Sequence, residues 1–144
     1  MDFAFSIPTS QQDCDFDAPS TMSTTFVVVP NSSVTVNNGN LSRDCINSFN
    51  AGATTGSEGD GVEVTYAISS QGGTCQSGIG PQSFHAGNDS GGFFFAETYT
   101  SITVCNLGPG VHTIQPCWVL IDLDGDGREA ILARRCLVVE CRTR

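Results

Sequence analysis

The chain has 144 residues, 39% of them hydrophobic and only 15% charged, with six arginines, no lysine and a net charge of −9. A duplex-binding protein needs a basic stripe to displace counterions; none is present, so nucleic acid and anionic membrane surfaces are excluded as partners, and no apolar run is long enough to span a bilayer. The length suits one domain with its own core, and the abundance of Ser, Thr, Asn and Gly suits short strands joined by many turns.

The first residues, MDFAFSIPTSQQDCDFD, have neither a basic n-region nor an apolar h-region, so no secretory signal is expected. Residues 1–23 contain Pro8 and Pro19 among scattered polar residues and read as an N-terminal arm, with a short strand at 3–7. The remainder, 24–144, reads as a single β-sandwich domain. TTFVVVP (24–30) is a β-branched run stopped by Pro30, and SVTVNNG (33–39) alternates and ends in the turn dipeptide Asn38-Gly39. Further strands are expected at 41–51, at 61–69, where Val62, Val64, Tyr66 and Ile68 alternate with Glu63 and Thr65, and at 82–87. After a turn at 87–92, FFFAETYTSITVCNL (93–107) carries the longest strand signal; GPG (108–110) then turns the chain into 111–123. The segment 128–141 has a helix-compatible composition, but its Val-rich end argues for a strand. Eight or nine strands with short turns predict an all-β chain, an antiparallel β-sandwich of jelly-roll type.

Seven cysteines are dense for a cytosolic protein and point to disulfides and an oxidising environment, the alternative being buried thiols packed as small apolar groups. Their spacing fits no zinc signature. The odd count leaves one thiol free or paired between chains, and Cys14, in the polar arm, is the expected one.

Between the last two strands lies IDLDGDGREA (121–130), in which Asp122, Asp124 and Asp126 are followed by Gly127. Oxygen ligands at alternate positions can wrap a calcium ion, and the glycine permits the turn. The positions that would complete such a loop fall on Ala130 and Ala133, which carry no ligand. The expectation is a solvated hairpin tip, with weak calcium binding at Asp122, Asp124 and Asp126 as the alternative; no other cofactor is expected.

Three stretches resemble a recurring jelly-roll module of bacteriophage structural proteins (decoration, head-fibre and tail components) and bacterial extracellular proteins. They are LSRDCINSFNA (41–51), GPGVHTIQPCWVL (108–120) and the ending in Arg135, Leu137 and Val139. Their order and spacing match over roughly 24–141. The resemblance implies a β-sandwich that works by assembly, often as a trimer, and a structural role for His112 at a strand entrance.

No signature of catalysis is present: Gly-x-Ser-x-Gly does not occur, no cysteine has a catalytic context, and the absence of lysine removes Schiff-base chemistry. Phe93, Phe94, Phe95, Tyr99 and Trp118 are candidates for a sugar-binding platform or, preferably, for subunit packing. His85 has no assigned role beyond a surface or interface position. Sequons at Asn31, Asn40 and Asn88, of which chance accounts for most at this Ser/Thr content, point only weakly to a eukaryotic secreted protein. The expected protein is therefore non-enzymatic: a virion surface component, a bacteriophage capsid decoration (cement) protein, homotrimeric and seated on a coat protein. The alternative is an extracellular adhesion module that binds carbohydrate with calcium at the acidic loop.

Overall fold

The structure is a computed structural model that describes residues 9–55, 60–75, 82–85, 97–122, 125 and 129–143; for residues 9, 53–55, 82–85, 97–103 and 133 it describes the backbone alone. The expected strand at 3–7, the turn at 87–92, Phe93, Phe94, Phe95, Asp124 and Asp126 lie outside the described residues.

Among the described residues ten strands follow one another: β1 (Thr9–Asp15), β2 (Ser20–Thr21), β3 (Val27–Val28), β4 (Val34–Asn37), β5 (Arg43–Thr55), β6 (Gly61–Ile68), β7 (Gln82–His85), β8 (Glu97–Leu107), β9 (Val111–Ile121) and β10 (Ala130–Thr143). A single 3-10 turn, Ser69–Gln71, follows β6. All strand pairs are antiparallel. One sheet runs β1-β10-β5-β8, with β2 also on β10; the other runs β3-β9-β6-β7, with β4 also on β9. Both β1 and β2 pair with β10, and both β3 and β4 pair with β9, so each couple acts as one interrupted strand. Eight strands result. Only the β6-to-β7 connection stays within a sheet; every other one crosses between the sheets. This is a jelly roll, as the alternation and turn spacing predict.

The two inner faces share one core. Val34, Val36, Val62, Val64, Tyr66, Ile68, Ile114, Trp118 and Leu120 come from the second sheet, and Cys45, Phe49, Leu107, Leu132, Leu137, Val139 and Cys141 from the first. Val62, Val64, Tyr66 and Ile68 face inward as their spacing predicts. Thr65 and Ala67, on the opposite side of β6, are buried as well. A disulfide, Cys75–Cys117, ties the segment after the 3-10 turn to β9, where Cys117 is paired with Thr65 and Cys75 with Ala67.

Three expectations need correction. Residues 9–21 are not an arm: β1 and β2 are strands of the first sheet. They carry no hydrophobic signal because an edge strand is held by main-chain bonds, and almost every described residue of β1 is exposed or half-buried. Cys14 is not the free thiol. Its register partner is Cys136, to which it is bonded, and the free cysteine is Cys105. The acidic stretch 121–130 is not a hairpin tip, because β9 and β10 belong to different sheets and the segment is a corner between them.

Candidate functional site

Arg135 is a fully buried cation with partners on several segments. Strand alternation alone would bury Arg134, two residues after the buried Leu132. A β-bulge intervenes: the register with β5 shifts between Ala133 and Cys136, and Arg134 takes a φ of 50°. The extra residue reverses the phase of β10, so Arg135, Leu137, Val139 and Cys141 turn inward while Cys136 turns outward to Cys14.

The guanidinium enters where two other strands are interrupted. Between β1 and β2 it meets Asp15 Oδ2 at 3.8 Å, pairs closely with the Asp17 carboxylate, and donates to the Asp17 carbonyl at 3.3 Å. Between β3 and β4 it donates to the Pro30 carbonyl at 2.8 Å and the Ser32 hydroxyl at 2.7 Å. Asn31, between those two acceptors, adopts a left-handed φ of 56°, a conformation that asparagine tolerates better than most residues. One buried cation on the bulged β10 thus supplies hydrogens to two other segments that have left their ladders. Asp17, beside it, has its carboxyl held below the usual carboxylate range, first through the hydrogen bond from Arg135. On the opposite face of the sheet, Cys14–Cys136 crosslinks the adjacent position, since Asp15 and Arg135 are register partners.

His112 is buried at the other end of the sandwich. Its Nε2 donates to the Gly108 carbonyl at 2.8 Å, and its Nδ1 shares a hydrogen bond with Ser70 Oγ at 2.7 Å. Asn38, also buried, donates to the carbonyls of Leu107 and Gly108, each at 3.1 Å. The Asn38-Gly39 and 108–110 turns lock together: Asn38 N–H bonds the Gly110 carbonyl and Gly110 N–H the Gly39 carbonyl, both at 2.8 Å. The structural role implied for His112 is the one observed.

Of the expected calcium ligands, only Asp122 is described. Its Oδ1 accepts the Gly125 N–H at 2.9 Å, and Gly125 has a φ of 71°, so the carboxylate caps a local turn. Among the described residues no three His, Cys, Asp or Glu side chains are grouped to hold a metal. Trp118 is not part of a sugar platform; it is a core residue, 1% exposed. His85 sits in β7 opposite Gly61, and its side chain is not described. Apolar side chains are exposed elsewhere: Phe16 between β1 and β2, Met22 in the segment that crosses from the first sheet to the second, Val27 and Val28 on β3, and Val104 on β8.

The arrangement holds segments together. A comparison with protein-family models finds no match, and neither does a search of curated proteins. Among solved structures, the chain is similar to that of the infectious bursal disease virus Gt strain, at 14% identity and a TM-score of 0.55 over 94% of this chain. It is equally similar to the infectious bursal disease virus VP2 subviral particle, at 14% identity and a TM-score of 0.57 over 94% of this chain. The likeness is one of fold. The chain spans about a third of the length of the structures it matches, 33% in each case.

Proposed function

We propose that the protein is a non-enzymatic structural component of a virion surface, a bacteriophage capsid decoration protein that sits as a homotrimer on a coat protein. The observation that carries this reading is the jelly roll itself, shared over 94% of the chain with structures of viral particles. Other features support it. Three disulfides and a buried arginine suit a part whose role is to stay rigid. The net charge of −9 suits docking on basic patches of a coat protein. Phe16, which is 86% exposed, and Met22, which is 67% exposed, offer apolar contact on either side of β2.

The test has two parts. Light scattering on the purified chain should give about 46 kDa, three times the 15.2 kDa of one copy, and Phe16→Ser with Met22→Ser should shift it to the monomer. In a gradient of lysate from virus-producing cells, the chain should travel with intact particles. A monomer found only in the soluble fraction, or strong binding on a glycan array, overturns the reading. At Asp122, Asp124 and Asp126, a melting temperature that rises in calcium over chelator would assign a bound ion to the corner; an unchanged one leaves it a solvated link.

A further inference from the structure

The free thiol of Cys105 does not stand alone. Cys45 on β5 is the register partner of Cys141 on β10 and also of Cys105 on β8, so the three cysteines form one row across three adjacent strands. Directly paired residues project from the same face of a sheet, and here that face is the inner one: Cys45 and Cys141 are fully buried, and Cys105 is half-buried against the same core. Cys45 and Cys141 are bonded, with their Cα atoms 4.0 Å apart, and Cys105 is free. Adjacent strands lie about 4.8 Å apart, so Cys105 flanks Cys45 on the side away from Cys141. Displacement at a disulfide sulfur proceeds along the line of the bond being broken, and a thiol on that side is placed for it. Asn47, two residues along β5 from Cys45, directs its Nδ2 to Cys105 Sγ at 3.6 Å, holding the sulfur in the row.

The geometry points to an internal disulfide relay in which Cys45 is shared between Cys141 and Cys105. The Cys105 thiolate attacks Cys45 Sγ; the Cys45–Cys105 bond forms as the Cys45–Cys141 bond breaks. The electron pair leaves on Cys141 Sγ, which takes up the proton that Cys105 gave up. One disulfide replaces another, so no oxidant or reductant is consumed. The exchange moves a covalent tie from the β5–β10 pair to the β5–β8 pair. Among the described residues strand β8 is the edge of its sheet and pairs with β5 alone, whereas β10 remains crosslinked to β1 through Cys14–Cys136. The relay therefore lets the fold staple an open edge while the displaced thiol sits on a central strand. This inference rests on the sheet register and is independent of the virion reading.

The test uses the full chain. The folded protein is incubated at mildly alkaline pH, quenched in acid, unfolded and alkylated with N-ethylmaleimide, and the label is mapped by mass spectrometry. The expected result is label on Cys141 as well as Cys105, with the Cys141 share rising to a plateau during incubation. Label on Cys105 alone overturns the relay, and so does label spread over Cys14, Cys75, Cys117 and Cys136, which marks general scrambling. Cys141→Ser gives a second reading: Cys45 should pair with Cys105 and leave no free thiol, whereas two free thiols overturn the proposal. Cys105→Ser should show no labelled cysteine.

Discussion

The Arg135 junction and the His112 corner face the same physical problem at different places in the sandwich. A jelly roll carries its chain repeatedly from one sheet to the other, and where a strand stops, backbone carbonyls are left near the core without a ladder partner. At the corner, neutral donors suffice: Asn38 and His112 serve the carbonyls of Leu107 and Gly108. At the junction three irregularities coincide, in β10, between β1 and β2, and between β3 and β4, and a single side chain must reach all of them. Only a guanidinium has enough donors in one rigid fork. Its charge then requires carboxylates nearby, and Asp15 and Asp17 provide them. Both devices join segments distant in sequence; the charged hub adds a carboxylate that links their stability to pH.

The largest effect is expected from Arg135→Met, which removes the hub and leaves the Pro30 carbonyl and the Ser32 hydroxyl unpaired, at about 1–3 kcal/mol for each buried group. Urea unfolding should show that loss, and a change under ~1 kcal/mol would mean that the acceptors find other donors. Next comes Cys14→Ser with Cys136→Ser, which cuts the covalent tie beside the hub. Disulfides typically contribute about 2–4 kcal/mol, and this one closes a long loop, with a sequence separation of 122. The loss should be less than additive with Arg135→Met, because both hold β1 to β10; full additivity would separate the two. His112→Ala should cost about 1–3 kcal/mol through the carbonyl and hydroxyl left without a partner.

The smallest effect is that of Asp17. Its folded-state carboxyl is held below the ordinary range by Arg135. The stabilisation is therefore fully present above the unfolded value, about 4, and is lost as pH falls through the lower folded value. Melting curves of the wild type and Asp17→Asn should differ at neutral pH and converge in acid. A gap that stays constant down the pH range would show that the carboxylate is not linked to the hub.

Much of the fold could be read directly from residue patterns. The alternation in 33–39 and 61–69, the Asn38-Gly39 and 108–110 turns, and the β-branched runs all lead to antiparallel strands, because each signal is local and period-two burial leaves a direct mark. Strand β1 could not be read in this way. Its sequence TSQQDCD has no apolar face, since its place depends on bonds to β10 rather than on burial. Cysteine pairing was hidden for a related reason: Cys14 and Cys136 are 122 residues apart and meet only through register.

By itself, then, the sequence determined the class of fold, the position of most strands, the absence of a basic surface and the structural role of His112. Tertiary structure alone decided three things. The bulge at Arg134 chose which arginine turned inward, because one extra residue inverts every later side chain of β10. Sheet register chose the disulfides and set Cys105 beside Cys45. The crossing of the chain between sheets made 121–130 a corner and not a hairpin tip, since the same Asp and Gly residues can turn a chain within a sheet or between two, and the partners of the flanking strands decide which.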